Sequence, residues 1–355
     1  VDDFVNVKCP KCGSPAKRET DTIAQWLCSC WYFLRFISPK ANDVPFIKKD
    51  IDKWMPVNQY IGGIEHAVLH LLYSRFIVKV LYDLNYVSFK EPFKALFTQG
   101  MICKISSITG QLEKMSKSKG NVVSPDTLIA KYGADTQRLY TLFIGPPEKD
   151  AEWIDTSVVG SHKFLRRLWS VIVENADKIK NAELYDSDGN DIDKDNKRLL
   201  CKIHQTIKKV SDDIDKSFHF NTSVAAIMEL ANELKNVESI DNRILKTFAE
   251  NILKLLAPFV PHIVEELWEI IGNKETVFRQ KFPVFDERFI VFDEITVVVQ
   301  INGKVRSKLI VNADIDENEL RKLAMNDSKT KQWLTGKEII KSVYIPKKLV
   351  SFVVK

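Results

Sequence analysis

The chain has 355 residues, 45% hydrophobic and 28% charged, with a net charge of +5. It is long enough for more than one hydrophobic core, and its composition lies outside the disordered, fibrous and collagen-like classes. No run of about 18 apolar residues occurs and no signal-like segment opens the sequence, so no membrane span is predicted and cytoplasm is the expected location.

From the start to about Trp153 the chain mixes short apolar strands, turns and helices, as the second half of a doubly wound α/β sheet does. Near its beginning, Cys9-Pro10-Lys11-Cys12-Gly13 has the spacing of half a zinc knuckle. A closed site needs two more ligands. Cys28 and Cys30 are the nearby candidates, in a stretch that reads as strand, but one residue between them is tight. Zinc at Cys9 and Cys12 is therefore a possibility beside a knuckle-like turn of free thiols, and no metal ligand is assigned.

Tyr60-Ile61-Gly62-Gly63-Ile64-Glu65-His66 reads as a strand end and a Gly-Gly turn leading into a helix with apolar Ala67, Val68, Leu71 and Leu72. Ligands bind outside the carboxyl ends of strands in open α/β sheets, and paired glycines let a nucleotide approach the backbone. Glu65 is suited to take both ribose hydroxyls there, or else to cap its helix while His66 packs. Further on, Lys114-Met115-Ser116-Lys117-Ser118-Lys119-Gly120-Asn121 alternates cations and hydroxyls on a glycine-ended loop that can close over a triphosphate. Ser124-Pro125-Asp126 then signals a helix start, and Gly145 to Asp150 is a break.

From about Ser157 to Gly272 the periodicity is helical. Leu165, Leu168, Trp169 and Ile172 repeat at helix spacing, as do Ile203, Ile207, Val210 and Ile214, and Val224, Ile227, Met228 and Ala231. Asn221 or Thr222 is the expected cap of the third of these helices. Asp186 to Lys197 reads as an exposed Asp-rich loop, and Pro258 and Pro261 kink or restart the last helices. This is a helical bundle over 154–285.

The tail, 293–355, reads as a small α+β module. Ile295, Val297, Val299 and Ile301 alternate, Asn302-Gly303 is a hairpin signal, and Val305, Ser307, Leu309 and Val311 alternate after it. Lys304, Arg306 and Lys308 take the other face. The register of that hairpin is left open: a two-residue turn sets the basic residues opposite the apolar face, a three-residue connection keeps the faces consistent. Helix is expected over Glu317 to Ala324, and strands at Val343 to Ile345 and Val350 to Val354. The tail holds ten Lys and two Arg against four Asp and four Glu, which suits a polyanionic partner or an ordinary solvated surface.

Lys114 to Ser118 resembles the second signature of class I aminoacyl-tRNA synthetases. Gly62 to Phe76, with Ser29 to Phe36, Trp54 to Val57, Thr98 to Met101, Tyr132 to Thr136, Leu256 to His262 and Val299 to Arg306, is similar to the bacterial leucyl branch of that class over essentially the whole chain. The resemblance implies a catalytic part (1–153), a helical anticodon-binding-type domain (154–285) and a tRNA-binding terminal module (293–355). It implies leucine–tRNA ligation, with leucine, ATP with Mg²⁺, and tRNA-Leu as partners. Lys117 and Lys114 become catalytic residues, Gly62, Gly63, Glu65, His66, Met101, Ser116 and Lys117 line the ATP or adenylate site, and Lys304, Arg306 and Lys308 meet tRNA phosphates. Met101 offers its backbone to the adenine. None of the six histidines stands in the first signature, His-x-Gly-His. The chain therefore resembles the carboxy-terminal part of such an enzyme, inactive alone, either a fragment or a subunit that pairs with a separate amino-terminal half. A non-catalytic tRNA-binding paralogue is the alternative.

Overall fold

The computed structural model describes residues 2–22, 26–290, 294–312 and 315–355, which separate into two compact units. One unit is Val1–Val122 with Gly145–Trp153. The other is Val123–Ile144 with Ile154–Lys355. The break expected near Gly145 to Asp150 is thus where the chain returns briefly to the first unit.

In the first unit, β1 (Asn6–Lys8) and β2 (Pro15–Lys17) form a hairpin around the Cys9-to-Cys12 turn. Residues 26–29 and α1 (Tyr32–Ile37) are helical, so Cys28 and Cys30 do not lie in a strand as expected. The run from Trp26 to Phe36 is apolar and aromatic without clear periodicity, which leaves strand and buried helix indistinguishable. After α2 (Lys48–Trp54), β3 (Tyr60–Gly63) passes through a 3-10 turn (Ile64–Val68) into α3 (His70–Asp83). The chain then returns in β4 (Leu96–Gln99), parallel to β3 with Tyr60 opposite Leu96 and Gly63 opposite Gln99. This strand–helix–strand crossover is the unit from which doubly wound sheets are built. A second small sheet has β5 (Ile102–Ile105) antiparallel to β6 (Leu112–Lys114) and parallel to β7 (Ala151–Glu152). Gly100 is forced by a close approach, since a Cβ there would lie 2.2 Å from the Lys149 carbonyl.

The core of this unit is small: Phe33, Leu34, Phe46, Ile51, Val78 and Val87. Along the opposite side of the 3-10 turn and α3, Ile64, Val68, Leu72 and Phe76 recur every fourth residue and are 58%, 73%, 55% and 62% exposed.

The second unit begins with α4 (Pro125–Tyr132) and α5 (Ala134–Phe143), then continues through α6 (Asp155–Glu174), α7 (Ala176–Asn181) and α8 (Lys194–Ser217). It ends its helical part with α9 (Phe220–Glu233), α10 (Asn242–Leu256) and α11 (Pro261–Ile270). Pro125 and Pro261 sit in the first turns of α4 and α11, where the missing N–H costs nothing. The Asp-rich loop stops at Asp193, whose carboxylate accepts the Asn196 N–H and starts α8 four residues before the expected loop end. α9 starts at Phe220 after His219, so neither Asn221 nor Thr222 is its cap. Thr222 instead donates its hydroxyl to Asp213. The predicted apolar positions on α6, α8 and α9 meet α10 in one continuous core that includes Phe164, Leu168, Ile203, Ile207, Val224, Phe248 and Phe259.

The terminal sheet has the order β10 (Ile339–Ile345), β11 (Leu349–Val354), β8 (Glu294–Ile301), β9 (Lys304–Asn312), with β8 and β11 parallel. α12 (Glu317–Asn326) and α13 (Ser328–Leu334) accompany it; α13 was not expected. Asn302 and Gly303 form a two-residue turn, both with positive φ (48° and 77°), so Ile301 faces Lys304. A bulge then intervenes: Gln300 pairs with Val305 but Val299 pairs with Ser307. Arg306 is the extra residue. The bulge reverses the phase of the strand, so Val305 is 54% exposed while Ser307 and Val311 are buried. The single apolar face and single basic face expected for β9 do not exist.

Candidate nucleotide site

β3 ends at Gly63, and the chain turns directly into the 3-10 segment that carries Glu65 and His66. From the other sheet, β6 ends at Lys114 and leads into the signature loop. The structure brings these two predicted elements together: Lys114 Nζ donates to both carboxylate oxygens of Glu65, at 2.7 and 2.8 Å. Both side chains are about half exposed, so the pair is screened and locates more than it stabilises.

The loop apex is a 3-10 turn over Lys117–Lys119, closed by Gly120 in the left-handed region (φ 62°). A Cβ on Gly120 would meet Ser107 Oγ at 2.5 Å, so glycine is required twice over, by angle and by space. Ser106 and Ser107 donate their hydroxyls to the carbonyls of Lys119 and Gly120. The three lysines of the loop differ in state. Lys114 is paired with Glu65, and Lys119 donates to Glu113 at 3.0 Å, which holds the Glu113 carboxyl below its usual range. Lys117 is exposed, and its ammonium group has no hydrogen-bond or ion-pair partner among the described residues. Ser116 and Ser118 hydroxyls lie 3.2 Å apart beside it.

His66 is partly buried, its Nδ1 has no partner, and its ring meets Trp26 edge-on at 5.4 Å. Next to it lies a cluster that sequence reading missed. His70 Nε2 is 2.9 Å from Tyr60 Oη, which is 3.1 Å from Tyr32 Oη, and His70 Nδ1 is 3.4 Å from Ser29 Oγ. Burial, then the neighbouring His66, lowers the His70 pKa, so the imidazole is kept neutral; burial raises that of Tyr60. The available signal was the density of aromatic and histidine residues at 26–36 and 60–70.

The Met101 backbone is engaged within the protein. Its N–H donates to Asp150 at 2.7 Å and its carbonyl accepts from Ala151 N–H at 2.9 Å. Only the second lone pair of that carbonyl is left to offer a base. In the β1–β2 turn, Cys12 Sγ is 3.0 Å from Ser14 Oγ, and the hydrogen bonds of Ser14 bring its pKa down to about 7. Among the described residues, no three His, Cys, Asp or Glu side chains gather in a metal-binding set. Cys30 is buried with its thiol on the Leu27 carbonyl.

The three basic candidates of the terminal sheet do not act alike. The Arg306 guanidinium carbon lies 3.5 Å from the centroid of the Trp333 ring, with its Nε buried and unpartnered. Lys304 and Lys308 are exposed. Among the described residues no helix is long and apolar enough to cross a membrane.

Residues 11–154 match the family described as tRNA synthetases class I (I, L, M and V), and residues 196–321 match the anticodon-binding domain of tRNA ligase. The chain belongs to the class I tRNA synthetases. Within that class it groups with the leucine–tRNA ligases, of which it corresponds to the carboxy-terminal part. It is 49% identical to the leucine–tRNA ligase of Thermosipho melanesiensis, and 48% to that of Geobacter sp. (strain M21). Each match covers 100% of this chain and 42% of the relative. The chain therefore spans less than half the length of these curated relatives. A solved LeuRS–tRNA–LeuAMS ternary complex from Agrobacterium radiobacter K84 superposes with a TM-score of 0.75 at 33% identity, over 100% of this chain and 45% of that one. A methionyl-tRNA synthetase of Mycobacterium tuberculosis, at 16% identity and a TM-score of 0.52, shares the fold over 75% of this chain and 52% of its own.

Proposed function

We propose that the chain supplies the signature-loop half of a leucine–tRNA ligase, which joins leucine to ATP and then transfers the leucyl group to tRNA-Leu. The observation that carries this reading is the unpaired Lys117 at the apex of a loop whose other two lysines are engaged. In the first step the leucine carboxylate attacks the α-phosphate in line and pyrophosphate leaves, with no covalent bond to the protein. Lys117 stabilises the negative charge that builds on the phosphate oxygens, and the Ser116 and Ser118 hydroxyls add neutral donors. Mg²⁺ bound to ATP neutralises further phosphate charge. Glu65 receives the ribose hydroxyls, which take the place Lys114 holds in this structure, and Gly62 and Gly63 leave room for the nucleoside. The Trp26, Tyr32, Tyr60, His66 and His70 cluster, with its neutral imidazole, suits an uncharged side chain.

The helical domain (154–285) and the terminal module (293–355) support tRNA, with Lys304 and Lys308 as the phosphate contacts and Arg306 held back on Trp333. The remaining parts of the site, including the first signature, come from the amino-terminal part of a longer chain or from a separate subunit, so this chain alone is inactive. Its site of action is the cytoplasm. Lys117→Ala in the assembled ligase tests the reading. Adenylate formation should fall by about 100-fold or more while tRNA affinity changes little. Equal losses in both would favour a plain basic binding surface over a phosphate loop, and leucine-dependent ATP–pyrophosphate exchange by the chain alone would overturn its assignment as half a site.

A further inference from the structure

The residue that closes the neck of the signature loop carries no role in the reading above. Asn121 is 3% exposed. Its carboxamide oxygen accepts the Ser116 N–H at 2.9 Å. Its amide nitrogen faces three carbonyls, of Lys104 at 2.9 Å, Glu113 at 3.2 Å and Lys114 at 3.4 Å. One side chain thus ties the outgoing end of the loop (121) to its incoming end (113, 114 and 116) and both to β5 (104). A primary amide alone among the side chains of this size offers two donors and an acceptor on one planar group. The clamp stops one residue short of Lys117. With Ser116 held below and the carbonyls of Lys119 and Gly120 held by Ser106 and Ser107, the backbone that carries Lys117 is fixed on both sides.

We infer that Asn121 is a positioning residue for Lys117, holding the signature loop in the geometry that presents this lysine to phosphate. The inference rests on the proposed ligase function for its consequence, and on the hydrogen bonds alone for its mechanism. Asn121→Ala removes every bond of the clamp and leaves the Ser116 N–H without its partner. A loop misplaced by about 1 Å costs on the order of 100-fold in rate. Asn121→Asp keeps the size and the acceptor for Ser116 but turns the donors into a carboxylate facing three carbonyls. Burial there raises the carboxyl pKa, and the protonated form regains one donor.

Two measurements test this. In the chain itself, amide hydrogen exchange at Ser116 to Gly120 should speed up at least about 10-fold in Asn121→Ala, with exchange in β3 and β4 unchanged and the fold retained, its thermal midpoint lowered by a few degrees at most. In the ligase containing this chain, kcat for leucine-dependent ATP–pyrophosphate exchange should fall about 10- to 100-fold, with the leucine KM and tRNA Kd within about 2-fold. The Asn121→Asp enzyme should start as impaired as the alanine variant at about pH 8 and recover relative to wild type toward about pH 6. Unchanged loop exchange and kcat, loss of the whole fold, or an aspartate variant with no pH-dependent recovery would each overturn the assignment. A wild-type ligase without exchange activity would instead defeat the functional reading, and loop hydrogen exchange would still judge the clamp.

Discussion

The helical unit and the nucleotide unit are made from similar proportions of apolar residues but use them differently. The helical unit closes on itself: among the described residues seven of its helices feed one core, and Phe164, Phe248 and Phe259 are fully buried within it. The nucleotide unit gathers only six buried side chains into its core and leaves Ile64, Val68, Leu72 and Phe76 in a row facing outward. A contiguous apolar stripe on a helix beside a two-stranded parallel sheet is what a doubly wound domain presents where another layer is to pack. The contrast teaches that the two units spend their apolar residues differently, one on a single closed core and the other partly on a row at its surface.

The sharpest way to break this comparison is to open the helical core. Phe248→Ala should cost about 3–5 kcal/mol in urea unfolding followed by circular dichroism. The transition of the nucleotide unit, read from fluorescence of Trp31, should stay where it is. A joint shift of both would mean that the two units unfold as one. A smaller cost is expected at Asp135, whose carboxylate accepts the Ile263 N–H and holds His262 Nδ1, both at 2.7 Å. Asp135→Ala should lose about 1–2 kcal/mol by removing the bond at the start of α11.

His204 sharpens the comparison through pH. Its Nδ1 accepts the Asp286 N–H at 3.0 Å, which a protonated ring cannot do, and burial lowers its pKa from the ordinary 6.5. The unfolded chain therefore takes up the proton first. The contribution, about 1 kcal/mol for the hydrogen bond, is fully present above pH 6.5 and is lost as pH falls below it. His204→Gln should flatten that slope in unfolding measured at several pH values. The smallest effect is the most telling. Leu72→Lys should change the stability of this chain by less than about 0.5 kcal/mol, because Leu72 is 55% exposed. The same variant should sharply weaken ATP–pyrophosphate exchange in the assembled ligase. A large loss of stability in the chain alone would mean the stripe is already packed.

Much of the site was legible because its chemistry is local. The signature loop needs cations, hydroxyls and a left-handed glycine within eight consecutive residues, and Gly120 sits at φ 62° as that pattern demands. The Asn302-Gly303 hairpin was readable for the same reason, whereas Gly62 and Gly63, expected as a turn, are the last two residues of β3. The aromatic and imidazole cluster was not, since Ser29 and His70 meet across 41 positions and the stretch around Cys28 and Cys30, which reads as strand, is helical. Arg306 shows a different failure. A bulge adds one residue to one strand, and no alternation pattern reveals where the count slips.

By itself the sequence determined the periodic helices of the bundle, the left-handed Gly120 that ends the signature loop and the Asn302-Gly303 turn. Each of these depends on angles and spacings within a few residues. Only the tertiary structure decided that Lys114 belongs to Glu65 and Lys119 to Glu113, leaving Lys117 open, and that Asn121 ties the loop shut. Those outcomes depend on which side chains the fold brings within about 3 Å of one another, across 49 positions for Lys114 and Glu65 and by the closing of the loop on itself for Lys119 and Asn121.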